Sequence, residues 1–290
     1  MMLLKGKPIS EQNQKYCLEL TEKYSLTPHL CIILIGDDPA SEYYVNNVQK
    51  QSVKFGVKTS LIQHQNITES ELITQIKKLN ADETVHGIML QKPLPKHINP
   101  LLIEEEIDPR KDVDGLHSAN AGLMLKEQDC FLPCTAQAIL EIIDHYDISI
   151  DGKHVVVVGR SNIVGKPVAN LLLYKEKNRN ATVTVCHSKT PDLKVFTQQA
   201  DVLITAVGVA NLIKGNMISD KVIIIDAGIN EIKSEDGKVN YVGDVDFEQC
   251  EGKCSAITPV PGGVGSVTTS ILFKHVCLSE KKIKKLKKNY

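Results

Sequence analysis

The sequence predicts an α/β protein of two domains, each built on a mostly parallel sheet. Three observations carry this. Short apolar runs alternate with helix-period patterns along the chain. The rhythm breaks between Gly115 and Pro133, a polar, Gly- and Asn-containing stretch of weak periodicity. The chain has 290 residues, about twice the ~150 residues of a common domain.

The elements follow in order. Leu30 to Ile35 reads as a buried strand ending at the turn Gly36-Asp37-Asp38-Pro39, after which Ser41 can cap a helix carrying Tyr44, Val45 and Val48. Val57 to Ile62 is the next strand. Thr68 and Glu71 have capping-box spacing before Leu72, Ile73, Ile76 and Leu79. Val85 to Leu90 is a third strand, closed by Gln91-Lys92-Pro93-Leu94-Pro95, where two prolines stiffen a loop. In the second half Thr135 can cap a helix holding Ile139, Leu140, Ile142 and Ile143. Strands are expected at His154–Val158, Thr182–Cys186, Val202–Val207 and Val222–Asp226. No internal repeat is present.

Composition narrows the function classes. Hydrophobic residues make up 42% and charged residues 24%, ordinary globular usage. Lys and Arg number 34 against 35 Asp and Glu, so nothing points to general nucleic-acid or acidic-membrane binding. No apolar run approaches the roughly 18 residues of a membrane span. The start, Met1 to Pro8, has too short an apolar stretch for a signal peptide, which predicts a cytoplasmic protein. The 8 cysteines are then expected to be reduced. The spacings Cys130/Cys134 and Cys250/Cys254 read as ordinary thiols, and no metal is expected. The lysines between Lys281 and Lys288 read as a solvated helix end, where cations suit the helix dipole.

The strongest local signal is Val155 to Val158 followed by Gly159-Arg160-Ser161-Asn162-Ile163-Val164-Gly165-Lys166-Pro167: strand, glycine turn, helix. Gly159 permits the tight turn and Gly165 a close helix–strand approach, so pyrophosphate is expected at the helix start. Ser161 replaces the usual middle glycine, and the glycine spacing and Pro167 exclude a phosphate-cradling P-loop. An NAD site usually places an acid at the end of the next strand. Here that strand ends Cys186-His187-Ser188-Lys189. Arg160 and Ser188, with Lys189 nearby, are suited to a 2′-phosphate, which predicts NADP. His187 is equally open to being a plain strand-end histidine.

Six segments together resemble one family. They are Pro39-Ala40-Ser41-Glu42-Tyr43-Tyr44-Val45, Gln91 to Pro95, Lys111-Asp112-Val113-Asp114-Gly115, Pro133-Cys134-Thr135, Gly159 to Pro167, and Thr258-Pro259-Val260-Pro261-Gly262-Gly263-Val264-Gly265. In order and over essentially the whole chain, they resemble the bifunctional methylenetetrahydrofolate dehydrogenase/methenyltetrahydrofolate cyclohydrolases of the FolD type. The resemblance implies an N-terminal three-layer α/β catalytic domain at residues 1–134, completed by a C-terminal helix at 265–290. It implies a Rossmann-like NADP-binding domain at 135–264, a cleft between the two, and a homodimer formed through the nucleotide domains.

The implied chemistry is oxidation of 5,10-methylenetetrahydrofolate by hydride transfer to NADP⁺, then hydrolysis of the methenyl product to 10-formyltetrahydrofolate. Tyr44 matches the tyrosine that stacks on the folate, Gln91 the glutamine beside the reacting centre, and Asp114 the aspartate that anchors the pterin. Pro261, Gly262 and Gly263 match the loop on the folate side. Ile229 matches a cofactor contact and Thr268 a threonine at the start of the last helix. With Gly159, Arg160, Ser161, Ile163, Gly165, His187 and Ser188, these two complete the candidate cofactor residues. Without the resemblance, Asp114 reads as a turn cap, Tyr44 as core, and Pro261 to Gly263 as a turn.

The chain also departs from the family. The family carries Tyr-x-x-x-Lys on one helix face, whereas Val48 stands four residues after Tyr44. Lys50 and Lys54 lie about 200° and 240° round the helix from that position. Lys92 stands where the family usually has leucine, Ser266 where it usually has proline, and Ala136 where proline is often found. Dehydrogenation is therefore expected to survive and hydrolysis to be much weaker than the family norm, unless Lys92 supplies the missing amine. Two other readings remain: another Rossmann-type dehydrogenase, and a folate- and nucleotide-binding pseudoenzyme.

Overall fold

The computed structural model describes residues 1–233 and 239–286. In chain order the strands are β1 (Met2–Leu3), β2 (His29–Ile35), β3 (Lys58–His64), β4 (Gly87–Leu90), β5 (His154–Val158), β6 (Thr182–Cys186), β7 (Val202–Thr205), β8 (Ile223–Asp226), β9 (Asn230–Lys233), β10 (Val239–Val242) and β11 (Ala256–Ile257). The helices are α1 (Lys7–Tyr24), α2 (Pro39–Ser52), α3 (Glu69–Ala81), α4 (Pro100–Glu105), α5 (Ser118–Leu125), α6 (Cys134–His145), α7 (Gly165–Leu171), α8 (Leu193–Thr197), α9 (Phe247–Cys250) and α10 (Val264–Leu286).

The chain forms two compact units. One holds Met1–Ser10 and Pro133–Thr268, the other Glu11–Leu132 and the chain from Thr269 onward. The first unit carries a parallel six-stranded sheet of order β1-β11-β8-β7-β5-β6, with β9 and β10 as a separate antiparallel pair. The second carries a parallel three-stranded sheet of order β3-β2-β4.

The first ten residues thus depart from the expected 1–134 grouping. Met2 and Leu3 pair with Ala256 and Ile257 at the edge of the larger sheet, Leu4 is buried, and Gly6 N–H donates to the Gly262 carbonyl at 2.8 Å. Such a two-residue strand leaves no periodic trace in sequence. Residues 265–268 also group with the six-stranded unit, and 287–290 of the expected terminal helix lie outside the described residues.

In each unit the apolar runs make the core. Val155 to Val158 are all buried, as befits a parallel strand covered on both faces. Val156 and Val158 pack with Leu203, Ile213, Ile224 and Ile257. In the three-stranded unit Cys31, Ile33 and Ile35 meet Leu72 and Ile76 of α3. The Thr68–Glu71 capping box forms as expected. Two expected caps do not. The carboxylate of Asp38, not Ser41, caps α2, accepting from Ser41 N–H at 2.8 Å with Pro39 in the first turn. Helix α6 starts at Cys134 after Pro133, so Thr135 lies inside it. The weakly periodic stretch between Gly115 and Pro133 contains α5, capped by the His117 ring, which accepts from Ala119 N–H at 2.9 Å.

From Thr269 onward α10 packs within the three-stranded unit. Phe273 meets the Phe55 ring at 4.9 Å. His275 Nδ1 lies 2.8 Å from the Val113 carbonyl, and Ser279 Oγ donates to the Arg110 carbonyl at 2.6 Å. The buried Glu280 accepts from Thr27 N–H at 2.9 Å and pairs with Lys284 at 2.7 Å. Lys281 lies over the Tyr24 ring and Lys282 pairs with Asp129. These three lysines are thus tethered rather than simply solvated, while the side chain of Lys285 and all of Lys287 and Lys288 lie outside the described residues.

Lys111 ties α3 to the segment that follows β4. Its buried ammonium donates to the carbonyls of Leu79, Asn80 and Asp82 at 2.9, 2.8 and 2.7 Å, groups a helix end leaves without internal partners. Burial pushes its pKa down, opposed by Asp108 and Asp82. Lys111→Met should cost on the order of 3 kcal/mol, because the carbonyls lose a buried donor. Urea unfolding checks this; a loss below about 1 kcal/mol would show that water replaces the ammonium.

Candidate functional site

In each unit the candidate residues lie in segments that follow its parallel strands, the region where α/β proteins place their ligands. In the six-stranded unit the glycine turn follows β5. Gly159 has φ +127°, and a Cβ there would lie 2.4 Å from the Ala206 carbonyl oxygen. A Cβ on Gly165 would lie 2.2 Å from the Gly159 oxygen. Both positions therefore need glycine for close backbone approach. Ser161 explains itself: its hydroxyl accepts from Val164 N–H at 3.1 Å and its carbonyl from Lys166 N–H at 3.1 Å. It holds the turn that a middle glycine would leave loose. Ile163 is partly exposed beside it, and Arg160 is exposed.

The register pairs Val158 with Cys186, and Gly159 N–H donates to the Cys186 carbonyl at 2.9 Å. Arg160 and His187-Ser188-Lys189 are therefore neighbours at adjacent strand ends. His187 is built into the turn: its ring Nδ1 accepts from Lys189 N–H at 3.1 Å, and its own N–H donates to Thr190 Oγ1 at 2.9 Å. Ser188 and Lys189 are exposed, and none of residues 187–190 is acidic.

Ile229 is 59% exposed between two pinned neighbours. Gly228 N–H donates to Asp226 at 2.9 Å, and the Asn230 amide donates to Asp244 at 3.0 Å. Neither aspartate stands out in the sequence, and both are buried. Asp244 explains why β7 stops at Thr205, short of the expected Val207: it accepts the N–H groups of Val207, Gly208 and Val209 at 2.6, 3.2 and 2.9 Å. Gly262 has φ +102°, and Gly263 is buried, with a Cβ there 2.5 Å from the Pro259 oxygen. Pro261 is exposed. Thr268 Oγ1 donates back to the Val264 carbonyl at 3.2 Å.

In the three-stranded unit Tyr44 lies on α2, 38% exposed, while Val45 and Val48 are buried. Lys50 and Lys54 are on the exposed side, as their helix angles require. Gln91 follows β4; its N–H donates to the Ile33 carbonyl at 2.9 Å and its side-chain amide to the Lys92 carbonyl at 2.6 Å. The Lys92 ammonium is paired with the carboxylate of Glu104 on α4, a side chain only 11% exposed. In Lys111–Gly115 the carboxylate of Asp112 caps the turn. Asp112 accepts from Leu116 N–H, His117 N–H and the Asn120 amide at 3.0, 2.9 and 2.8 Å. The parallel bridge of Asp112 to Ile88 sets this turn beside β4, and Asp114 is half-buried there.

Burial pushes the Cys130 thiol up to about 11 and the Cys250 thiol up to about 12. Such groups are thiols rather than metal-binding thiolates at neutral pH. Among the described residues no cluster of three or more His, Cys, Asp or Glu side chains is placed to hold a metal.

Comparison with known proteins finds two matching family domains. Residues 4–114 match the tetrahydrofolate dehydrogenase/cyclohydrolase catalytic domain, and residues 133–284 the NAD(P)-binding domain of that family. A bifunctional protein FolD from Chloroherpeton thalassium is 46% identical over 288 residues, covering 96% of this chain and 98% of the relative. The crystal structure of the bifunctional FolD methylenetetrahydrofolate dehydrogenase/cyclohydrolase from Campylobacter jejuni superposes with a TM-score of 0.91 at 42% identity, covering 97% of this chain and 99% of that one. The Trypanosoma brucei enzyme, solved with NADP cofactor and an inhibitor, has a TM-score of 0.89 at 34% identity over 97% of this chain and 98% of its own.

Burial pushes the Asp226 carboxyl up to about 6, against hydrogen bonds from Val245, Gly228 and Thr205. A raised carboxyl pKa contributes stability that is complete below the unfolded value near 4 and is lost as pH rises through the folded value. From pH 4 to 7 wild type should lose on the order of 3 kcal/mol that Asp226→Asn does not. Denaturant unfolding of both proteins across that range measures it; a constant difference between them would refute the assignment.

Proposed function

Because the chain belongs to the tetrahydrofolate dehydrogenase/cyclohydrolase family, we propose that it oxidises 5,10-methylenetetrahydrofolate to 5,10-methenyltetrahydrofolate with NADP⁺. Hydrolysis of that product to 10-formyltetrahydrofolate is the second family activity. The observation that carries the cofactor choice is the pair of neighbouring strand ends. Arg160 is exposed at one, and Ser188 and Lys189 at the other, with no carboxylate to favour an unphosphorylated ribose. The cradle also fits a dinucleotide, because Gly159 and Gly165 bring backbone where a Cβ finds no room.

Bound NADP⁺ accepts the hydride. The chain's residues bind and orient. Gly159, Arg160, Ser161, Ile163, Gly165, His187, Ser188, Ile229 and Thr268 are assigned to the cofactor. Tyr44 is assigned to stacking on the folate, Gln91 to the reacting centre, and Pro261, Gly262 and Gly263 to the loop on the folate side. Asp114 is assigned to the pterin, whose row of donors a carboxylate accepts in pairs. Holding the reacting carbon and the nicotinamide in one geometry is a positioning task that needs no titrating side chain.

Hydrolysis is different. It needs an activated water and proton movement, to which a tuned amine contributes ~10²–10⁴-fold. Buried Val48 carries no amine, Lys50 and Lys54 are on the exposed side of their segment, and the Lys92 ammonium is committed to Glu104. The proposal is therefore a strong dehydrogenase with weak hydrolysis. A homodimer through the six-stranded unit and a cytoplasmic location belong to the same reading. Support for them comes from the one-sided pairing of edge strand β6, whose Val185 is 38% exposed, and from eight cysteines that form no disulfide.

Absorbance of the methenyl product on mixing the chain with methylenetetrahydrofolate and NADP⁺ tests the reading. Binding of both ligands without that signal would favour a pseudoenzyme. Arg160→Ala should raise the KM for NADP⁺ roughly 10- to 100-fold and that for NAD⁺ little; equal effects on both cofactors would sink the 2′-phosphate assignment.

A second pair of variants addresses hydrolysis. Val48→Lys should raise methenyl hydrolysis by about 10²-fold or more, and Lys92→Leu should leave it low and unchanged. Rapid native hydrolysis abolished by Lys92→Leu would instead identify Lys92 as the working amine.

A further inference from the structure

Two carboxylates in the six-stranded unit are buried and accept from neutral donors, and their geometry is interlocked. Asp244 is fully buried and Asp226 is 3% exposed. A Cβ on Gly228 would lie 2.3 Å from Asp244 Cγ, and one on Gly243 would lie 1.9 Å from Asp226 Oδ2. Each carboxylate thus occupies the space beside a glycine flanking the other. Asp226 accepts from Thr205 Oγ1, Gly228 N–H and Val245 N–H, each at 2.9 Å. Asp244 accepts three consecutive N–H groups, those of Val207, Gly208 and Val209, together with the Asn230 amide.

Three consecutive N–H groups converging on one point are a ready anion site. Here the protein's own carboxylate fills it. The loop so held touches both parts of the proposed cofactor surface. The Ala206 oxygen limits Gly159, and Asn230 and Gly228 flank exposed Ile229. Ile229 Cδ1 in turn lies 3.1 Å from where a Cβ on Gly265 would be. An amide at 244 cannot reproduce this, because its NH₂ would face backbone donors that now meet an oxygen.

We propose that Asp244, backed by Asp226, is a positioning residue for the nicotinamide dinucleotide: it sets the loop after β7 and the Ile229 turn in the one arrangement that receives the cofactor. The inference rests on the NADP reading above. Asp244 acts through backbone it holds, touching neither substrate nor cofactor, so its loss falls on cofactor affinity rather than on folate affinity.

The test compares Asp244→Asn, the milder Asn230→Ala, and Asp246→Ala. The last removes the side chain that caps α9, accepting from Gln249 N–H at 3.1 Å, and so controls for simple destabilisation of the same unit. NADP⁺ affinity is measured by calorimetry on the full chain, with KM for methylenetetrahydrofolate, kcat and Tm alongside. Asp244→Asn should weaken NADP⁺ binding on the order of 10- to 100-fold, as a displaced contact surface does. Asn230→Ala should weaken it a few-fold, and both should leave the folate KM within about twofold of wild type. Asp246→Ala should lower Tm with NADP⁺ affinity unchanged. Wild-type NADP⁺ affinity in folded Asp244→Asn overturns the proposal, as does an equal loss in Asp246→Ala. If Asp244→Asn does not fold, unchanged affinity in Asn230→Ala overturns it. Failure of the wild-type chain to bind NADP⁺ overturns the cofactor reading itself, a result separate from any difference among the variants.

Discussion

The capture of three backbone N–H groups by the Asp244 carboxylate is the interaction on which the six-stranded unit's ligand-facing end depends. Parallel strands end in loops whose amides have left the ladder and still need acceptors. Water satisfies such groups at the cost of order. A buried carboxylate satisfies them with charge-assisted bonds and leaves one conformation. Asp226 performs the same service one strand over, and its partners Thr205, Gly228 and Val245 come from three segments. The glycines at 228 and 243 follow from this arrangement, because a carboxylate stands where a Cβ would be.

The three-stranded unit solves the same problem with different groups. Lys111 closes the end of α3 with three carbonyl contacts, and Asp112 closes the next turn with two backbone N–H groups. Two adjacent residues of opposite charge thus serve the backbone around them. Asp114, one residue beyond Val113, is half-buried in the same turn. Lys92 and Glu104 anchor the Gln91 loop to α4 in the same way. A charged residue inside a family-like motif is here more often scaffold than reagent.

That distinction bears on the two activities. Hydride transfer asks for placement, which glycine turns, braced loops and a half-exposed tyrosine provide. Hydrolysis asks for a group that exchanges protons beside the reacting carbon. Position 48, one helical turn after Tyr44 on α2, is a buried valine.

The period of the apolar residues determined the parallel strands Leu30–Ile35, His154–Val158 and Thr182–Cys186, the capping box at Thr68, and the glycine turn with its acid-free neighbour. Each of these is a local choice that a dozen residues settle, and each stands in the structure. What the sequence could not settle depends on partners far along the chain. Met2 and Leu3 become a strand only because Ala256 and Ile257 offer an edge. Asp112 and Asp114 are indistinguishable as letters, and only the burial of Asp112 against Leu116, His117 and Asn120 assigns it the turn. Only the fold sets Glu104, twelve residues on, opposite Lys92 and pairs its ammonium. Asp226 and Asp244 were silent because a buried carboxylate is defined by the donors around it. Those donors are backbone amides, which every residue but proline carries and only the tertiary fold can aim.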